Sequence, residues 1–405
     1  MAKAIALIAT LDTKGREAAH LRDLIRVHGH DVTVIDTGIL GHALVGADIT
    51  REEVALAGGA ELPDLIARGD KGHAMEVMIA GASDVVSRLC AQGRLSGAIS
   101  IGGGQGTAIG TAAMQALPIG VPKLMVSTIA SGRSLFEPYV GTTDMMLMHA
   151  VADIAGLNVI TRRILANAAG AIVGMVEAAS DAEETDRTVI GSTMLGLTTP
   201  CLQRAHELLE GWGYEVVAFH PNGTGGRCLE RLIDDGLIRG ALDVSTQELT
   251  GHVCHGLFDA GPERLSAAGR RGIPQVVAPG GTDYIVLGPA SSLTTEQRRR
   301  ARVVHNPNIT LVRTSAEEMA EVGRRMARQL NRARGPTAVL IPSGGFSTSD
   351  RPGHPFYDPQ ADQALVSALE SELRPGVELH KIEAHINDPP FSEALAQKMH
   401  EVMTR

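Results

Sequence analysis

Six short turns in this chain combine glycines with hydroxyl, amide or charged side chains, and each follows an apolar run. The clearest is Gly97-Ala98-Ile99-Ser100-Ile101-Gly102-Gly103-Gly104-Gln105-Gly106-Thr107, where a strand-like run passes through consecutive glycines into a helical pattern. Backbone amides exposed by Gly102, Gly103, Gly104 and Gly106, with the hydroxyl of Thr107, could cradle an anion at the positive end of a helix. The spacing matches neither the GxGxxG dinucleotide fingerprint nor the GxxxxGK[ST] phosphate loop. Glycines that only allow a sharp turn and close helix packing are the competing explanation. Asp12-Thr13-Lys14-Gly15 is placed in the same way after the opening apolar run. Lys14 could neutralise a phosphate, Thr13 could donate its hydroxyl, and Asp12 could accept from a ribose or hold a cation. Asp12 or Thr13 could equally cap a helix. Ser127, Thr128, Ser131 and Gly132, followed by Arg133, add hydroxyls and a guanidinium after another apolar run.

The second half repeats the theme. His220-Pro221-Asn222-Gly223-Thr224-Gly225-Gly226 offers an amide cradle at Gly223, Gly225 and Gly226, and His220 is placed to act as acid, base or hydrogen-bond donor, or to fix the turn. Gly280 and Gly281 precede Thr282-Asp283, and Ser343, Gly344 and Gly345 close another apolar run. Ser343 is not in a GxSxG nucleophile elbow and reads better as a hydroxyl beside an anion-binding turn. His252 and His255 flank Cys254 and could contribute to a metal site completed by Glu248 or Asp259, although local packing explains the pair more simply. The polar, proline-rich stretch 349–359, with Arg351 and Asp358, suits a lid, an inter-lobe clamp or an ordinary long loop.

Alternating elements position these turns. Ala4 to Ala9 reads as a strand, Arg16 to His28 as a helix with apolar Ala19, Leu21, Leu24 and Ile25, and Asp31 to Ile35 as the next strand. Gly72 to Ala91 continues as a helix, Gly97 to Ile101 as a strand, Thr107 to Ala116 as a helix and Pro122 to Val126 as a strand. A helix from about Asp144 is expected to carry MMLMHAVAD, its methionines filling core gaps, and another spans Asn158 to Gly170. The charged stretch Asp181 to Asp186 marks a boundary. Beyond it, strands at Thr188 to Ser192, Tyr214 to Phe219, Gly240 to Val244, Gln275 to Ala278, Ile309 to Val312, Thr337 to Ile341 and Val377 to Ile382 alternate with helical stretches. The expected fold is α/β: two Rossmann-like lobes, 1–183 and 184–405, with mostly parallel sheets and an inter-lobe cleft, the terminal helix being free to pack back on the first lobe.

Composition narrows the partners. At 405 residues the chain exceeds the usual size of one core, and 44% hydrophobic residues can fill two. A formal net charge of −9 opposes binding to nucleic acid or anionic membranes, and no uninterrupted apolar run approaches a membrane span of roughly 20 residues. Four scattered cysteines without a CxxC pair suit a reducing compartment, so a cytoplasmic protein is expected.

The motifs ATLDTKG, ISIGGGQGT, VSTIASG, FHPNGTGG, VAPGGTDY and IPSGGFS occur in that order along the whole chain. Together they resemble the ATP-binding domain family typified by the amino-terminal region of the plant tobamovirus-resistance protein. The resemblance implies two Rossmann-like lobes, capacity to bind ATP or another nucleotide, and self-association into a homo-oligomer; a cation held at Asp12 beside the phosphates would be Mg²⁺. The residues themselves leave two alternatives: an enzyme acting on a small carboxylate or sugar acid, with His220 in proton transfer, and a ligand-dependent regulatory or protein-interaction module.

Overall fold

The computed structural model describes residues 3–131, 137–179 and 186–405. Gly132 and Arg133, and residues 181–185 of the boundary stretch, lie outside the described residues. Contacts divide the chain into two units, 1–184 and 185–405.

The first unit contains β1 (Ala4–Ala9), α1 (Leu11–Val27), β2 (Asp31–Asp36), α2 (Arg51–Ala57), α3 (Leu62–Arg68), α4 (Lys71–Ala91), β3 (Gly97–Gly102), α5 (Gly104–Gln115), β4 (Lys123–Ser127), α6 (Glu137–Val140), β5 (Met146–His149) and α7 (Val159–Ala178). Its five strands are all parallel, in the order β2-β1-β3-β4-β5. The continuous apolar character of β1 follows from burial on both faces. Ile5, Leu7 and Ala9 face a core shared with α1 and α7, while Ala6 and Ile8 face one shared with α2, α4 and α5. The helix of the β1–β2 crossover therefore lies on one face and that of the β2–β3 crossover on the other. The loops after β1 and β3 diverge, opening a crevice where strand order reverses.

By length and composition α7 could cross a membrane. Its Leu165, Ala168, Ala169, Ile172, Val173 and Val176 instead form a stripe buried in the first core, while Arg162, Arg163, Asn167 and Glu177 lie on its exposed side.

The second unit contains β6 (Val189–Thr193), α8 (Thr199–Gly211), β7 (Glu215–Phe219), α9 (Thr224–Asp234), β8 (Gly240–Ser245), α10 (Gln247–Val253), α11 (Ala267–Arg271), β9 (Gln275–Gly280), β10 (Tyr284–Leu287), β11 (Arg302–Asn306), β12 (Ile309–Arg313), α12 (Ala316–Leu330), β13 (Thr337–Pro342), α13 (Pro359–Glu372), β14 (Glu378–Ile382) and α14 (Pro389–Met403). Six parallel strands run β7-β6-β8-β9-β13-β14. The main sheets of both units thus follow the doubly wound pattern expected from the sequence.

One expectation is corrected. Residues 146–149 pair with β4 as edge strand β5, where a helix from Asp144 was expected. Alternation decides it: Leu147 packs against one core and Met148 against the other. The run at 309–312 leaves the main sheet, because β12 pairs antiparallel with β10 and β11 in a separate three-stranded sheet. The terminal helix packs within its own unit: Phe391, Leu395, Ala396 and Met399 of α14 share a core with α8 and with Leu242, Val276 and Leu340 of the sheet.

Close helix packing depends on particular glycines. A side chain at Gly81 of α4 would collide with the carbonyl oxygen of Val54 in α2. Gly81→Ala is expected to destabilise the first unit by about 1–3 kcal/mol, the usual cost of overpacking. Urea unfolding compared with the unsubstituted chain checks this, and an unchanged midpoint would contradict it.

Candidate functional site

A cavity of about 650 Å³ opens at the β1/β3 crevice of the first unit. It receives Thr10, Asp12, Thr13 and Lys14 from the start of α1, Gly103 to Gly106 from the start of α5, and Asp70 and Lys71 from the start of α4. Neither N-cap residue, Thr10 of α1 or Gly103 of α5, caps its helix with a side chain, and at α1 the Leu11 N–H is met by Asp36. Among the described residues no acceptor meets the first-turn N–H groups of Gly104, Gln105 and Gly106. Helix starts of this kind present unpaired donors and partial positive charge.

The glycines divide by role. A Cβ on Gly102 would lie 2.7 Å from the Gly106 Cα, so Gly102 serves the tight turn. A Cβ on Gly104 would meet nothing within 4 Å, and one on Gly103 would meet first the Thr128 hydroxyl oxygen at 3.7 Å. Open space therefore lies over the amides that point to the cavity.

Charge reinforces the site. Lys14 and Lys71 line it, and neither has an ion-pair partner among the described residues. Oδ1 of Asp12 is buried without a hydrogen-bond partner. Asp36, at the end of β2, was missed in the sequence reading. Its Oδ1 accepts from the Leu11 N–H at 3.0 Å and the Gly38 N–H at 2.8 Å, tying the start of α1 to the loop after β2. Burial, aided by the Asp12 charge, holds the Asp36 carboxyl above the ordinary carboxylate range despite these bonds. An acidic residue closing a second strand was the available signal. Ile39, Leu40, Leu65, Ile66, Ala74, Met75 and Ile109 supply an apolar wall, most of it from α3, α4 and the loop before α2.

Other expected residues fall outside this cavity. Thr107 and Ser127 are buried and bond to each other through their hydroxyls at 2.7 Å, with Ser127 also accepting from the Ile129 N–H at 3.1 Å. Ser131 bonds to His149 at 3.2 Å. Thr128 reaches the site only as the neighbour of Gly103.

In the second unit the glycine turn after β7 faces an anion supplied by the chain. The N–H groups of Gly223 and Gly226 donate to Oε1 of Glu248 at 2.6 and 3.0 Å, and the Gly225 N–H donates to Asn222 at 3.2 Å. Glu248 is fully buried and its Oε2 accepts from Arg264 Nε at 2.6 Å. Arg264 also pairs with Asp243 and Glu230. Three backbone N–H groups, those of Leu265, Ser266 and Ala267, donate to Glu230. A side chain at Gly226 would strike Glu248. The amides expected to hold a ligand are therefore already engaged.

His220 is exposed, with its ring nitrogen 3.3 Å from the Met194 carbonyl and its ring edge-on to Phe258. His252 pairs with Asp259 at 2.9 Å, His255 occupies a left-handed backbone conformation, and Glu248 is committed to Arg264. Among the described residues no three His, Cys, Asp or Glu side chains could hold a metal ion together. The Gly281 N–H donates to the Phe346 carbonyl and the Gly344 N–H to the Ala384 carbonyl, while Gly280 and Gly345 sit where a side chain would strike the Val244 and Asp350 carbonyls. Ser343, Gly344 and Gly345 border a smaller cavity of about 250 Å³.

Two doubly wound α/β units, one with an open amide-lined cavity at its switch point, define the class of protein. The chain belongs to the uncharacterised protein family UPF0261: residues 3–181 match its amino-terminal domain and residues 187–403 its carboxyl-terminal domain. A UPF0261 protein of Clostridium tetani is 42% identical over all of both chains, and one of Mesorhizobium japonicum is 38% identical over 97% of this chain and 98% of its own. The tomato (Solanum lycopersicum) ToMV susceptible protein tm-1(GCR26) is 32% identical over 98% of this chain, which spans 55% of the tomato protein.

The buried Arg264 cluster generates a direct test. Arg264→Met should destabilise the second unit by about 3–5 kcal/mol, since Asp243, Glu248 and Glu230 would lose their shared cation. Denaturant unfolding followed at Trp212, which closes the carboxyl end of α8, reads this unit; a loss below about 1 kcal/mol would contradict a binding role for the cluster in the fold.

Proposed function

We propose that the chain binds ATP or a closely related nucleotide in the first-lobe cavity. One observation carries the reading: the start of α5, whose first-turn amides meet no acceptor among the described residues, opens onto the same cavity as Lys14 and Lys71, which have no ion-pair partner there. Phosphates accept from the Gly104, Gln105 and Gly106 amides while the lysines offset their charge. The wall around Ile39, Leu65, Met75 and Ile109 suits an apolar, planar base. The residues also fit a magnesium ion brought with the phosphates, since Asp12 Oδ1 has no partner and Mg²⁺ commonly uses one or two carboxylates plus phosphate oxygens. The resemblance to the ATP-binding family of the plant resistance protein points the same way. The reading is of binding, with no reaction assigned.

Isothermal titration of the full chain with ATP, with and without Mg²⁺, is expected to give saturable binding. Lys14→Ala should weaken it by about tenfold, as for loss of one charge-assisted contact. Gly104→Val should weaken it comparably with an unchanged unfolding midpoint, because its side chain enters open space. Absence of saturable heat from the folded protein would overturn the proposal, and unaltered affinity in both variants would move the site elsewhere.

A further inference from the structure

A second group of buried charges lies beneath residues 343–358, apart from the nucleotide cavity. Asp283, Asp350 and Asp362 gather around Arg313. Asp283 and Asp350 are fully buried and Arg313 is 5% exposed. Arg313 Nη2 pairs with Asp362 at 2.6 Å and donates to the Asp358 carbonyl, while Nη1 donates to the Asp283 carbonyl and the Thr314 hydroxyl. Oδ2 of Asp283 accepts from the Ser347 hydroxyl at 2.7 Å, and Oδ2 of Asp350 from the Phe346 N–H at 2.8 Å. The Oδ1 atoms of Asp283 and Asp350 meet no donor as ionised groups. Yet the side chain of Asp350 lies within hydrogen-bonding reach of Asp362. Two carboxyl groups make that contact only when one carries a proton.

Among the described residues the surroundings supply no second cation. His385 meets the Ser347 carbonyl at 2.8 Å, and its burial favours the neutral ring. Arg351 is paired with Asp388 at 3.0 Å, and Lys381 with Glu370 at 2.6 Å. Asp358 caps α13, and the phenol of buried Tyr284 is held neutral by burial beside Asp283. Two fully buried carboxylates and a third at the cavity edge, Asp362, facing one guanidinium do not all remain ionised.

The geometry points to a proton held between Asp350 and Asp362 that fastens residues 343–358 to the second lobe, making this segment a pH-sensitive wall of the 250 Å³ cavity. The wall includes Ser343, Gly344, Gly345, Pro352 and Tyr357. Of its attachments, the Ser347 hydroxyl and the Asp358 carbonyl end on the cluster, while the Ser343, Gly344 and Thr348 N–H groups donate to the Ile382, Ala384 and Leu197 carbonyls. Loss of the proton leaves two uncompensated negative charges in a buried volume, and the segment separates to admit water.

The direction follows from where the proton sits. Burial, with the charge of Asp350 adding to it, raises Asp283 to about 7 and Asp362 to about 8, and burial also raises Asp350. An unfolded carboxyl titrates near pH 4. The folded chain therefore holds a proton that the unfolded chain has lost. Stability falls as pH rises from about 4 towards 8, then levels.

Thermal unfolding from pH 5.5 to 8.5 tests this with Asp350→Asn, whose amide N–H supplies the missing donor to Asp362 at every pH while its oxygen still accepts from Phe346. Native chain should lose about 5 °C or more across this range, whereas the variant should change less and be the more stable at pH 8.5. A variant weakened equally at all pH values, or a native chain with a flat profile, would overturn the proposal. If the variant fails to fold, the native chain still decides. Hydrogen exchange in residues 343–358, corrected for intrinsic rates, should lose protection above pH 8 while β8 and β9 keep theirs; uniform protection would overturn it.

Discussion

A parallel sheet brings the amino termini of its crossover helices towards one edge, and the N–H groups there need acceptors that the helices cannot supply. This constraint separates the two lobes of the chain. In the second lobe Glu248 enters the turn after β7 and takes the Gly223 and Gly226 amides, with Arg264 balancing its charge. In the first lobe no comparable side chain among the described residues enters the turn after β3, and the amides face a cavity beside Lys14 and Lys71. Similar folds thus leave different needs: one lobe satisfies its glycine-turn amides internally and the other leaves them open.

The internal solution has a structural consequence. Arg264, fully buried, joins β8, the start of α9 and the segment before α11 through Asp243, Glu248 and Glu230. Such clusters are costly to desolvate, and their hydrogen bonds must be nearly complete to offset that cost. Glu230 accepts from three consecutive backbone N–H groups and Asp243 accepts from the Thr193 hydroxyl, so each carboxylate is well supplied. The Arg313 cluster differs because two of its carboxylate oxygens lack donors in ionised form. Completeness of hydrogen bonding distinguishes a fixed brace from a group that must hold a proton.

Much of the fold was legible in the sequence because burial on both faces makes parallel strands into continuous apolar runs, as at Ala4–Ala9 and Gly97–Gly102. Strand β5 was misread because four residues of Met, Leu and His carry too short an alternation to distinguish a strand from a helical turn. The antiparallel pairing of β12 depends on β10 and β11, whose sequences give no sign of leaving the main sheet. At the site, Lys14 and Gly104 were legible as residues after apolar runs. The apolar wall was not, because Ile39, Leu65 and Met75 come from separate elements joined only by tertiary packing. Nor does the sequence distinguish an open glycine turn from one filled by a carboxylate 22 residues beyond Gly226. Thr107 suffered from the same limit: its hydroxyl turns to Ser127 rather than to a ligand.

The central distinction between an open and an internally satisfied cradle is most directly measured by amide hydrogen exchange on the full chain, with and without saturating Mg²⁺-ATP. Slower exchange at Gly103–Gly106 and the start of α1, with no change at Gly223–Gly226, is the predicted result. Protection confined to Gly223–Gly226, or none in either lobe, would contradict it.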